Sequence, residues 1–267
     1  MWACPHCQQA LQPTPDETSW VCSNKHQFDR AREGYVNLLP SNRKRSREPG
    51  DSPEMIAARH RVHSQQVYHP LARALQEQTA PLTDITSMLD LGCGEGYYCE
   101  ALVQAQPKAQ LFGVDISKAA VRKAARGHRA ASFAVASSFQ LPVLDNSLSL
   151  VARIFAPSDD AEVMRVLQAH GYYLEITPAP THLWELRENL YGKPVEHAAS
   201  RGAIDGMHLL NSVECEYKME LATGLLRDVI NMTPYAYRGH REKRAALLRR
   251  DGLTLSMAFS LNLFQLQ

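Results

Sequence analysis

The sequence predicts an α/β protein: a doubly wound, mostly parallel sheet preceded by a small zinc-binding module. Two observations carry the sheet and one carries the module. Short apolar runs alternate with helical patterns across residues 88–176, the order expected of a parallel sheet with helices on both faces. The first run, Met88-Leu89-Asp90-Leu91, enters the turn Gly92-x-Gly94-x-Gly96, and the next run ends in Asp115. Ahead of both, Cys4, Cys7, Cys22 and His26 have the spacing of a four-ligand metal site.

The chain as a whole bounds what these pieces can be. Its 267 residues give room for one large domain and a small one, and 45% apolar residues supply a substantial core. A formal net charge of +1 offers no global argument for nucleic acid, so any basic surface is local. No charged-then-apolar signal opens the chain, and no run of about 18 apolar residues exists to span a membrane. Six cysteines without such a signal read as metal ligands or free thiols rather than disulfides. The expectation is a soluble, cytoplasmic protein with no membrane partner.

Residues 1–40 form the zinc module. The pattern is C-x2-C, fourteen residues, then C-x3-H, two knuckles whose ligands converge on one ion. Pro13, Pro15, Asp16 and Glu17 supply the turn of a hairpin between them. Three thiolates and one imidazole suit Zn²⁺ in a closed, structural site. His6, between two knuckle cysteines, points outward. The plain alternative is two unrelated cysteine pairs and a stray histidine.

Residues 41–80 form a basic linker and helices. Arg43, Lys44, Arg45 and Arg47 put four cations in five positions just ahead of Pro49-Gly50, which describes an exposed loop. Beside a zinc module, such a run suits nucleic-acid phosphate. A helix starts at Ser52-Pro53-Glu54, with a cap, an early proline and an early acid. Met55, Ile56, Arg59, Val62 and Gln66 follow at helical spacing until Pro70 breaks or kinks the run. Tyr68, at that kink, reads from spacing as a packing residue.

Residues 81–267 form the large domain. After the glycine turn, helices are expected over 99–105 and 117–126, with strands over 110–114, 132–136, 148–154 and 171–176. Another helix is capped at Ser158. In the tail, 213–221 and 253–263 alternate as a closing antiparallel pair around a helix near 225–230. Ligands in doubly wound sheets lie at the carboxyl ends of the strands. This places the glycine turn, Asp115, Ser137-Ser138 and Phe155-Ala156-Pro157 on one rim. Phe155 could stack on a base there or simply belong to the core.

Tyr97 stands where the dinucleotide fingerprint needs its last glycine, so the expected cofactor carries an amino-acid end rather than a pyrophosphate. Asp115, roughly 20 residues beyond the turn, suits ribose hydroxyls, or with Ser117 it caps the following helix. Here the chain resembles the S-adenosylmethionine-dependent methyltransferases. In that family the glycine turn meets the methionine end and the acid meets the ribose. The residues after the fourth strand, Arg153-Ile154-Phe155-Ala156-Pro157, lack the Asn/Asp-Pro-Pro-aromatic motif of enzymes acting on exocyclic amines.

Over almost its full length the chain is similar to the bacterial 23S rRNA guanine-N1-methyltransferases. The matching words are Cys-Pro-x-Cys, Cys-x3-His-Gln-Phe-Asp, Glu-Gly-Tyr-Val-Asn-Leu-Leu-Pro, Lys-Arg-Ser-Arg-x-Pro-Gly-Asp, Asp-Leu-Gly-Cys-Gly-Glu-Gly-Tyr-Tyr, Val-Ala-Ser-Ser and Thr-Pro-x-x-x-His-Leu. The resemblance implies a seven-stranded methyltransferase sheet, a zinc module that helps to read a 23S rRNA hairpin, and a homodimer. It further implies cofactor contacts from Tyr68, Gly92, Gly94, Gly96, Tyr98, Cys99, Asp115 and His182, replacing the packing reading of Tyr68 and that of Cys99, which by its place next to the turn reads as a packing residue. For His182, capping near Thr181 stays open. Gln168-Ala169-His170-Gly171 departs from the Lys-Pro-Gly-Gly that relatives often carry, and residues 192–208 match least. Guanine N1 carries a proton that must leave as the methyl arrives. Asp29, Glu33, Asp51 and Glu175 are candidate acceptors, with positioning alone as the other route. Two competing functions remain at this stage: a zinc-bearing RNA-binding protein with an inactive methyltransferase domain, and a small-molecule methyltransferase.

Overall fold

The computed structural model describes residues 1–40, 50–233, 235 and 241–267. Arg43, Lys44, Arg45 and Arg47 lie outside the described residues. The N-terminal segment folds as an antiparallel three-stranded sheet, β1 (Gln12–Pro13), β2 (Ser19–Val21) and β3 (Gln27–Asp29). Thr14, Pro15, Asp16 and Glu17 turn the first hairpin, and Asp16 accepts from both the Thr14 and Thr18 hydroxyls. Pro13 itself lies in β1, a short strand that tolerates it.

The next strand, β4 (Val36–Asn37), leaves this module and joins the main sheet, pairing in parallel with β7 (Ser132–Val135). Two helices follow. Helix α1 (Pro53–Ser64) is capped as its sequence predicts, with Ser52 Oγ accepting the Met55 amide at 3.3 Å. Pro70 does not kink α1. It sits in the first turn of a separate helix, α2 (His69–Thr79), where its missing N–H costs nothing. Tyr68 is thus the residue from which α2 starts.

The β-α alternation appears as expected: β5 (Ser87–Leu91), α3 (Tyr97–Ala105), β6 (Gln110–Asp115), α4 (Lys118–Gly127), β7, β8 (Leu148–Ile154), α5 (Asp160–Val166) and β9 (Leu167–Pro178). Asp159, not Ser158, caps α5, accepting the Ala161 amide at 3.0 Å. The Ser158 hydroxyl is taken by Arg153 at 2.7 Å. The stretch 168–171, expected as a loop before the strand, is an irregularity within β9, where the pairing with β8 slips and His170 adopts a φ of 60°. Helix α6 (Trp184–Tyr191), strand β10 (Met207–Ala222), helices α7 (Thr223–Asn231) and α8 (Arg241–Leu247), and strand β11 (Gly252–Leu266) complete the order.

The strands assemble as β10-β11-β9-β8-β5-β6-β7-β4. The seven strands of the expected sheet are β5 to β11, and β4 is an eighth contributed by the N-terminal segment. Strands β4 to β9 run parallel, while β10 and β11 close the far edge antiparallel. Each face carries its own core because strand side chains alternate. Met88, Leu150 and Leu174 point toward the helices α1, α2, α3, α6 and α7. Leu89, Leu91, Val151 and Tyr173 point the other way, into a core shared with Trp2, Cys4, Leu11 and Cys22 of the metal module. Trp2 is 1% exposed, donates from Nε1 to Ser132 Oγ at 3.1 Å and packs edge-on to Phe112. The module therefore folds against the sheet, with no independent core of its own.

Candidate active site

Cys4, Cys7, Cys22 and His26 converge, their ligand atoms all lying within 4.8 Å of one another. His26 Nδ1 is 3.4 Å from both Cys4 Sγ and Cys22 Sγ, and Cys7 and Cys22 Sγ are 3.6 Å apart. A tetrahedral zinc with Zn–S near 2.3 Å has edges of roughly 3.5–3.8 Å. The donor set fits that ion and leaves no position open for chemistry. His6 is not part of the set. Its ring stacks on Phe28.

The second site is the turn between β5 and α3. Gly92, Gly94 and Gly96 all have positive φ, at 81°, 53° and 89°. A Cβ on Gly92 would stand 2.3 Å from the Ala156 Cβ, and one on Gly96 would stand 2.9 Å from the His128 ring. The turn is thus wedged between the rim loop after β8 and the end of α4. Asp115, at the end of β6, accepts the Gly94 amide at 2.9 Å and the Ser117 amide at 2.7 Å. Burial raises its carboxyl above the usual range, and the two amides oppose that rise. One oxygen therefore holds the amide of Ser117, from which α4 starts, and the other holds the turn, while no described side chain caps α4 itself.

Beneath the turn lies Asp90, 2% exposed, whose carboxyl burial raises to about 7. Cys99, also fully buried, directs its thiol at Asp90 Oδ2 at 3.3 Å.

Tyr68, Tyr98 and His182 come from three different elements and gather around the rings of Phe155 and Phe259. Tyr68 and Tyr98 each place a ring 6.5 Å from the ring of Phe155. The Tyr98 hydroxyl is buried with no hydrogen-bond partner among the described residues. His182 packs 4.6 Å from the Phe259 ring, and its Nδ1 accepts the Ala258 amide at 3.3 Å, which puts the proton of the neutral ring on Nε2. Burial lowers its pKa to about 3. Thr181 is not capped by it. Helix α6 starts from Leu183, a bulky residue at a φ of 53°.

Sequence reasoning passed over Glu95, the acid inside the turn. Its side chain is 5% exposed and meets His63 Nδ1, His60 Nδ1 and Lys123 Nζ, each at 3.0 Å. Burial raises its carboxyl, but the bonds from His63 and Lys123 outweigh that and hold it below the usual range. His63 in turn stacks on Tyr97 with ring centroids 4.0 Å apart. Glu95 so ties the turn to α1 and α4. An acid between glycines was the available signal, but nothing local names partners some thirty residues away.

The four candidate proton acceptors are dispersed. Asp29 lies in the metal module, where it accepts from Ser19. Glu33 is held by Arg122 and Arg126 of α4. Glu175 is 1% exposed and gripped by Arg153 and Arg201. Asp51 alone of the four stands beside the turn: Arg59 contacts its carboxylate at 2.5 Å, and its carbonyl accepts the Ser117 hydroxyl at 3.1 Å.

Comparison with known proteins fits this geometry. Residues 2–47 match the zinc-ribbon family described as "RlmA, N-terminal", and residues 88–171 match "Methyltransferase domain". A putative 23S rRNA (guanine-N(1)-)-methyltransferase of Micromonospora griseorubida is 35% identical over 222 residues, covering 76% of this chain and 74% of that one. The chain belongs to the 23S rRNA (guanine-N1)-methyltransferase family. The Bacillus subtilis relative YxjB, of the same putative designation, is 30% identical across 93% of this chain and 91% of its own. The 23S rRNA (guanine(748)-N(1))-methyltransferase of Streptomyces fradiae is 35% identical, over 70% of this chain and 66% of that protein. Among solved structures, the [4+2]-cyclase SpnF superposes with a TM-score of 0.51 at 15% identity, over 75% of this chain and 82% of that one. At that identity the likeness concerns the fold alone.

As a member of this family, the protein is an S-adenosylmethionine-dependent rRNA (guanine-N1)-methyltransferase with a zinc ribbon. Both cofactors fit the residues present. The Cys₃His cluster has zinc dimensions. Gly92 and Gly96 are packed against Ala156 and His128, whereas Gly94, with only the Arg59 guanidinium within 4 Å of a built Cβ among the described residues, leaves backbone open to close approach by a ligand. No described helix is long and apolar enough to cross a membrane.

Proposed function

We propose that this enzyme methylates N1 of a guanine in a hairpin loop of 23S rRNA, in the cytoplasm and as a homodimer. In this reading residues 1–40 and the basic run hold the RNA, and residues 81–267 transfer the methyl. Gly92, Gly94 and Gly96 receive the methionine end of the cofactor and Asp115 the ribose, with Tyr68, Tyr98, Cys99 and His182 lining the same pocket. When bound, the cofactor supplies an electrophilic methyl group.

The observation that carries this reading is where the described residues that flank the basic run lie. Leu38, just before it, donates its amide to Val135 at the end of β7, at 3.0 Å. Gly50, just after it, packs against Ile116 and Ser117 beside Asp115. The described residues on either side, Leu38 and Gly50, therefore both lie at the rim that carries the glycine turn. In this reading Arg43, Lys44, Arg45 and Arg47 contact phosphate, which gives affinity rather than base choice. A guanine must leave its stack, or come from an unpaired loop, to reach such a rim. Phe155 is 41% exposed there and held at a φ of 56°, a strained backbone for an aromatic residue. Asp51, the carboxylate next to the turn, takes the N1 proton, and Arg59 keeps it oriented.

The test is methyl transfer from labelled S-adenosylmethionine to unmodified 23S rRNA, mapped by primer extension. N1 methylation blocks Watson–Crick pairing, so a stop at one hairpin guanine is expected. Label without a stop would retain the enzyme and rule out N1. Asp51→Asn should lower kcat while leaving cofactor affinity unchanged.

A further inference from the structure

Among the described residues, two phenylalanines are exposed, Phe139 at 57% and Phe155 at 41%. They belong to different rim loops, Phe139 after β7 and Phe155 after β8. The Ser138 hydroxyl donates to the Pro157 carbonyl at 2.6 Å and ties the loops together, one residue from Phe139 and two from Phe155.

Phe139 is held outward by its surroundings. The Ser137 hydroxyl accepts the Phe139 amide at 3.2 Å, and Ser137 bridges to Gln140, which makes a tight turn with Phe139 at its tip. Immediately beyond, Leu141 and Val143 are fully buried, and the Leu141 amide is fixed by Glu162 at 2.6 Å. The chain buries Leu141 and Val143 and leaves the Phe139 ring in solvent. An exposed aromatic on a rigid turn, continuous with a substrate rim, is a feature that folding does not require.

From this we infer that Phe139 and Phe155 form a two-ring stacking platform for two unpaired nucleotides of the RNA substrate, Phe155 under the target guanine and Phe139 under a neighbouring base. The inference rests on the rRNA reading above and adds the residues that hold the loop open. Aromatic faces receive unstacked bases regardless of their identity, so the platform supplies position while the atom methylated is chosen elsewhere. Ser138 sets the spacing between the two rings.

The experiment uses the full-length zinc-loaded protein with a labelled 23S rRNA hairpin. Phe139→Ala should weaken hairpin binding roughly 5- to 150-fold, the range of one base–aromatic stack, and raise KM with little change in S-adenosylmethionine affinity by calorimetry. Phe139→Leu should be similarly impaired, because it restores apolar area without a stacking face, whereas Phe139→Trp should recover wild-type binding. A fluorescent purine placed beside the target should be quenched by the wild type and by Phe139→Trp, and not by Phe139→Leu. Wild-type hairpin affinity and KM in both Phe139→Ala and Phe139→Leu would overturn the platform and leave the rRNA reading intact. Failure of the wild type to methylate any 23S rRNA hairpin would overturn both.

Discussion

Asp115 Oδ2 accepts the Gly94 amide at 2.9 Å, so the acid that ends β6 directly fixes the glycine turn that follows β5. The two halves of the cofactor signature, twenty-one positions apart in the chain, are joined by this bond. The other oxygen holds the Ser117 amide at the start of α4. One carboxylate thereby sets both the turn and the helix start.

Asp115→Asn should lower S-adenosylmethionine affinity by about 10- to 150-fold, the effect of a lost charge-assisted hydrogen bond worth about 1.5–3 kcal/mol. Titration calorimetry reads this directly. Unchanged affinity would mean that the carboxylate serves the fold alone.

Gly92→Ala should be severe, because its Cβ would stand 2.3 Å from the Ala156 Cβ and its φ is +81°. A stability loss above about 2 kcal/mol is expected, together with lost cofactor binding. Gly127→Ala is the control. A Cβ there meets nothing within 4 Å, and its effect should stay within about 1 kcal/mol. Denaturant titration of both variants separates the turn's steric demand from a general cost of replacing glycine.

Zinc removal should destabilise the whole chain. Trp2 lies in the sheet's second core and β4 pairs with β7, so loss of the Cys₃His site exposes part of the large domain. Cys22→Ser, or chelation of the wild type, should lower the main calorimetric transition and shift tryptophan emission to the red. A separate low-temperature transition, with the main one unmoved, would show that the module unfolds alone.

Acid should act through His182. Its folded-state pKa of about 3 lies below the ordinary histidine value of 6.5, so between these values the unfolded chain binds the proton and the folded chain does not. Its contribution is therefore lost as pH falls, by about 2 kcal/mol from pH 7 to pH 5. Asp90 works in the opposite sense. Raised to about 7 from 3.8, it favours the folded state as pH falls through the same window. In the wild-type slope these two contributions oppose each other. His182→Gln should remove the acid-sensitive part, and Asp90→Asn should expose it. Parallel melting-temperature profiles for the two variants would refute this assignment.

The sequence by itself determined the alternation of β5 to β9, the glycine turn, the capping of α1 by Ser52 and the four metal-ligating positions. These are local matters: periodicity, backbone permissiveness and short spacings act over a few residues and leave their mark in order along the chain. Only the tertiary structure decided what happens between distant segments. It decided between a break and a kink at Pro70 in favour of a break that starts a new helix, moved the α5 cap from Ser158 to Asp159 because Arg153 claims the Ser158 hydroxyl, and drew β4 out of the metal module into the main sheet. It also clamped Glu175 between two arginines and left Asp51 beside the turn. A residue's partner across the fold is fixed by packing, which no spacing along the chain records.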